Sequence, residues 1–165
     1  LSDFRSRIQT ARFQDDVEVW AGLVEELMKA DIVEGMKAAL SGMMRSSPAS
    51  LIKARSVQLT VDHAAELAAV DLTAAVEACI SAAISSPPDS DLRRKAVMFI
   101  TDQSEALSRV DFQLAVRCAD FAVKWAIYDT DLSREAGEVH DRLVAREESI
   151  QQGSAETARK ENRDG

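Results

Sequence analysis

The sequence predicts an all-α fold, an α-solenoid of stacked antiparallel helix pairs with about seven to eight helices in all. Three observations predict it. Asp31, Asp71 and Asp111 each open a stretch of the same grammar, spaced by 40 residues with no gap. Apolar residues within these stretches step by three and four, the period of a helix face. Aromatic residues make up only 5% of the chain, and its 6 Gly and 3 Pro stand mostly outside the periodic segments, so intrinsic preference favours helix over sheet.

From the N-terminus, Phe4 and Ile8 stand at i, i+4 and predict a short helix over Leu1 to Gln9. A longer helix is expected from Thr10 to Lys29, where Val17, Trp20, Val24 and Leu27 form one stripe and Trp20 is read as core. The next pair runs from Asp31 to Ser46 and from Ser50 to Ala69. Asp31 followed by Glu34 matches a capping box, and Gly35, Ala38, Ala39 and Gly42 leave room for a close neighbouring helix. The pair after it, Asp71 to Ser85 and Ser90 to Arg109, turns at SSPPDS as the previous one turns at SSPAS, because proline cannot continue a helix. The last pair is Asp111 to Tyr128 and Thr130 to about Ile150, followed by the polar stretch QQGSAETARKENRDG, read as disordered or as a solvated helical extension.

Superposing the units aligns Met36, Val76 and Val116; Ala39, Cys79 and Ala119; Val57 and Val97; Leu67 and Leu107; and Val70, Val110 and Ile150, all read as core. Thr10, Ser50, Ser90 and Thr130 fall in one column and read as helix N-caps, since a hydroxyl accepts from an otherwise unpaired helix N–H. The predicted organisation is a helical-repeat domain over residues 1–150, with units near 1–30, 31–70, 71–110 and 111–150, and a polar tail or linker over 151–165.

Among 165 residues the formal net charge is −8, which argues against a general binder of nucleic acid, because that partner is held by an excess of Lys and Arg. No run approaches the roughly 20 apolar residues of a membrane span, so no membrane insertion is expected. Cys79 and Cys118 are too few for a disulfide framework and read as small core residues. The chain begins at Leu1 rather than Met, which reads as a piece of a longer or processed protein; the cytoplasm is the default compartment.

Candidate binding residues come from three patterns. Lys37, Glu77 and Arg117 occupy one column and alternate in sign, an expected charge ladder on the surface lined by the first helices. Lys53, Arg55, Arg93, Arg94 and Lys95 place positive charge at helix starts, against the macrodipole. Phe121, Trp125 and Tyr128 follow i, i+4, i+7 on the last first-helix, where Phe121 and Trp125 are candidates to dock a neighbour. His63 and His140 stand alone, without HExxH, Cys-His ligand spacing, glycine loop or nucleophile elbow, so no catalytic residue, metal or cofactor is expected.

Paired helices with small columns at Gly35, Ala75 and Ala115 and at Ala39, Cys79 and Ala119 resemble the tetratricopeptide-like helical repeats. The resemblance covers Asp31 to Ile150, with a unit longer than the 34-residue standard and without the W-x₂-L-G-x₂-Y signature. HEAT-type repeats match the period better but lack their counterpart here for the proline in the first helix. The resemblance implies a right-handed α-solenoid and a non-catalytic module that presents a surface to a protein or peptide partner or spaces domains of a larger protein. The second expectation is an accessory or dimerisation domain of an enzyme whose catalytic part lies elsewhere, and the third a small-ligand sensor with a pocket between units. Oligomeric state is left open by the sequence.

Overall fold

The structure, a computed structural model, describes residues 2–161; Leu1 at the expected helix start and residues 162–165 of the expected tail lie outside that range. Among the described residues it holds nine helices and no strand: α1 (Ser2–Phe13), α2 (Val17–Ala30), α3 (Ile32–Arg45), α4 (Leu51–Asp62), α5 (Ala64–Ala68), α6 (Leu72–Ser85), α7 (Asp91–Leu107), α8 (Phe112–Trp125) and α9 (Thr130–Glu161). The chain divides into two compact units, Leu1–Ile100 and Thr101–Gly165, with the division falling inside α7.

Aspartates set the helix starts. The Asp31 carboxylate accepts from the backbone N–H of Val33 and Glu34, Asp71 from Ala74, and Asp111 from Leu114. Their backbones are nearly superimposable in conformation, with φ of −154°, −147° and −145°. Each also donates its own N–H to the preceding helix, Asp31 to Leu27, Asp71 to Leu67 and Asp111 to Leu107, at 2.7 to 2.8 Å. At Asp31 one residue ends α2 and begins α3 with no loop between them, while Asp71 and Asp111 begin their helices after turns of two and three residues. That economy changes the expected capping box. Because the N–H of Asp31 is already donated to Leu27, Glu34 has no donor to reach back for, and its side chain turns outward to Arg5 and Lys37.

Two of the four expected hydroxyl caps form. Ser50 accepts from Ile52 and Ser90 from Arg93. Thr130 does not cap α9; Asp129, one residue earlier, accepts from Leu132 and takes the role. Thr10 lies inside α1 with its hydroxyl donated to the Ser6 carbonyl. The expected single helix from Thr10 to Lys29 is instead broken after Phe13. There the N–H of Asp16 reaches the Ala11 carbonyl, and that of Asp15 reaches Arg12, with Asp15 at φ 54°. This is a Schellman ending with aspartate in the left-handed position glycine normally fills. Asp16 then caps α2 by accepting from Val19. A second difference is at His63, where α4 stops and the short α5 begins.

In the first unit α1 packs on α2, α2 on α3 and α3 on α4, while α2 also meets α4 and α3 meets α6. Trp20, Val24, Leu27, Met36, Ile52 and Leu59 are its large buried side chains, as the stripe on α2 predicts for Trp20. Burying each is worth about 1.5–3 kcal/mol. In the second unit α8 packs on α9, and Leu114, Cys118, Ala119, Leu132, Ala136 and Leu143 are buried. Both cysteines are buried.

One column expected in the core is at the surface. Val70, Val110 and Ile150 are 67%, 70% and 56% exposed. The first two sit at the turn just before a capping aspartate, where the chain leaves one helix face, so constant spacing does not translate into burial. The helix expected to end near Ile150 continues to Glu161, with residues 151–160 all exposed.

Candidate interaction surfaces

Lys37, Glu77 and Arg117 are all exposed, on α3, α6 and α8. Lys37 does not stand free for a neighbouring repeat. Its Nζ lies 2.9 Å from Glu34 one turn back, and Glu34 also binds Arg5 of α1. Hydrogen bonds from Lys37 and Arg5 hold the Glu34 carboxyl below its usual range. Exposed pairs of this kind contribute about 0–1 kcal/mol each. Glu77 and Arg117, in separate units, each make no ion pair among the described residues.

The basic helix starts are largely taken up within the protein. Arg93 is half-buried and donates from Nε to the Ala83 carbonyl and from Nη2 to the Ser86 carbonyl, closing the C-terminal end of α6 with a cation where the helix dipole is negative. Arg94 and Lys95 both bind Asp91 at 3.0 Å, and their hydrogen bonds hold the Asp91 carboxyl below its usual range. Arg55 reaches Glu25 of α2 and Gln58. Lys53 is half-buried without an ion pair among the described residues. Positive charge at Arg55, Arg93, Arg94 and Lys95 is thus explained by partners in the fold, which the sequence alone does not display.

On α8 the rings of Phe121 and Trp125 stack, centroids 5.0 Å apart and 15° from parallel, and both residues are half-buried. Ile127 and Tyr128 beyond them are 66% and 64% exposed. The aromatic run is therefore a partly open apolar surface on the second unit rather than closed core.

His63 Nδ1 pairs with Glu66 and His140 Nδ1 with Asp141, both within their own segment. Among the described residues no cluster of three or more His, Cys, Asp or Glu is placed to hold a metal ion, and no helix is long and apolar enough to cross a membrane. The sequence reading misses Arg5 and Arg12 and takes Glu34 only for a capping residue; α1 and α3 bring all three to one cleft of the first unit. Only the approach of two non-consecutive helices reveals them. Comparison with protein-family models, with curated proteins and with solved structures finds no match to this chain.

Proposed function

We propose that the chain is a tetratricopeptide-like repeat module, a right-handed α-solenoid that binds a protein or peptide partner or scaffolds neighbouring domains of a larger protein without catalysing a reaction. The observation that carries this reading is the aspartate junction: at Asp31, Asp71 and Asp111 the same residue type, in the same conformation, bonds back to a leucine carbonyl of the preceding helix and caps the next. Support also comes from the first unit, where α3 meets α6 and α2 meets α4, each helix touching the one that occupies its own place in the next pair. A stack of this kind holds its contact residues in place before a partner arrives, which lowers the entropy cost of association.

The test is a charge exchange on the exposed column, Lys37→Glu, Glu77→Lys and Arg117→Glu together. Capture of the partner from the native source is expected to be lost, with stability changed by no more than about 0.5 kcal/mol, because the three side chains are solvated. Undiminished capture removes this column as the binding surface. The half-open Phe121 and Trp125 favour a second reading, docking or dimerisation through α8. Sedimentation across a wide concentration range separates the two; a species that stays monomeric throughout counts against dimerisation.

A further inference from the structure

We infer that the cleft between α1 and α3 is a site for a small carboxylate with an apolar body, such as a medium-chain acyl acid, an activity separate from partner binding. The cleft has a volume of about 270 Å³, just below the range of roughly 300–1,000 Å³ that drug-sized ligands occupy. Ile8 of α1 and Ala38 of α3 form its apolar walls, and Trp20 and Leu27 of α2 close its floor. Around the mouth stand three cations, Arg5, Arg12 and Lys37, against one carboxylate, Glu34. That excess is local: it occurs in a chain of net charge −8. Arg12 makes no ion pair among the described residues and lies over the Phe13 ring, 5.4 Å from its centroid.

The floor of the cleft carries a reporter of occupancy. Trp20 is fully buried, yet its Nε1 has no hydrogen-bond acceptor among the described residues. With no partner of its own, that N–H is a sensitive reporter of whatever packs against the Trp20 ring from the cleft. The Trp20 ring also holds its place only because Gly42, another residue of the cleft, carries no Cβ to displace it. Apolar walls over an apolar floor and a surplus of cations at the mouth together fit a ligand with an acid head and a hydrocarbon body. Glu34 already occupies one face of Arg5 and Lys37, so it acts as the internal competitor of the ligand's carboxylate.

The experiment titrates the whole chain with octanoate and follows the indole Nε1–H resonance of Trp20 by NMR. A saturable shift of that resonance is expected, with acetate (head without body) giving none and octanol (body without head) binding at least about tenfold more weakly, the loss of one charge-assisted hydrogen bond. Arg12→Gln is expected to weaken octanoate about tenfold on the same ground, and Glu34→Gln to tighten it severalfold by freeing Arg5 and Lys37. Ala38→Phe fills the cleft without changing charge and is expected to abolish the shift; should that variant fold poorly, the opposite signs of Arg12→Gln and Glu34→Gln still decide. Equal binding of octanol and octanoate, or no change with either charge variant, overturns the site. Co-sedimentation with vesicles of phosphatidylcholine and phosphatidylglycerol, with octanoate leaving Trp20 unmoved, overturns it as well and makes the basic mouth a membrane contact. Lys37 belongs both to this mouth and to the charge ladder, but none of these variants alters Lys37, Glu77 or Arg117, so failure of this site and failure of the partner-binding column are read by different variants.

Discussion

Asp15 shows what a single residue decides in this chain. Its φ of 54° places a residue with a Cβ where glycine is ordinarily required, and its carboxylate accepts from the Ser50 hydroxyl at 2.7 Å, tying the end of α1 to the start of α4. Reading caps from residue type succeeds at Asp31, Ser50 and Ser90, and fails at Thr10, which lies inside α1, and at Thr130, where Asp129 accepts from the Leu132 amide instead. Cys79 carries the residue-scale prediction. Burial pushes its thiol up from an ordinary 9.0 to about 12. A raised pKa means that the folded protein holds the proton more tightly than the unfolded chain. The stability linked to this group is therefore fully present below pH 9 and is lost as pH climbs from 9 towards 12. Denaturant midpoints of the native protein and of Cys79→Ala should differ most below pH 9, and the native protein's advantage should shrink at a pH between those two values. Native Cys79 should also resist iodoacetamide, because the thiolate is the nucleophile. A constant difference across that range, or rapid alkylation of the folded protein, would show that Cys79 is more open than its burial indicates.

Helix α3 is the element on which the first unit turns, since it packs on α2, α4 and α6. Its small residues are legible in the sequence as a place of close approach, and the structure gives the reason. A Cβ on Gly35 would come within 2.6 Å of the backbone N and Cα of Met28 in α2, and one on Gly42 would run into the Trp20 ring and lie 2.6 Å from Ser56 Oγ. Gly22, on the exposed side of α2, has nothing within 4 Å of that position. The two positions should respond to the same substitution with opposite signs. Gly22→Ala should stabilise by about 0.5–1 kcal/mol by removing the backbone entropy of glycine within a helix. Gly42→Ala should destabilise by about 1–3 kcal/mol through overpacking. Urea midpoints measure both. If Gly42→Ala is neutral, the Trp20 floor yields easily and the cleft beside it is not a preformed site. The break between α1 and α2 is not legible in the same way, because its left-handed residue is an aspartate and no glycine or proline marks it.

At the scale of the whole molecule, the period of 40 residues is legible because backbone junctions repeat, while the environment of each column is not, because burial depends on which helices meet. Leu67 and Leu107 share a column and are both buried, yet Val70 and Val110, three residues on, are both exposed. The cleft between α1 and α3 is beyond sequence reasoning for the same reason: of the aligned columns α1 carries only Thr10 and no core position, and its position over α3 follows from packing on α2. Local stacking makes a prediction that a single closed core does not. When each pair is stabilised mainly by its neighbours, removing the last pair weakens the remainder without dissolving it. The cut belongs after Val110, because Asp111 opens the next helix and α7 is then kept whole, whereas a cut at the unit boundary after Ile100 would sever it. The fragment of residues 1–110 keeps the whole Trp20 core and should unfold cooperatively, at a lower denaturant midpoint than the full chain and with a slope reduced in keeping with its smaller buried surface. A fragment that retains helical circular dichroism but binds hydrophobic dye and melts without a transition would mean that the first unit needs the rest of the chain to pack. That result would remove the stacked arrangement as the basis of the proposed function.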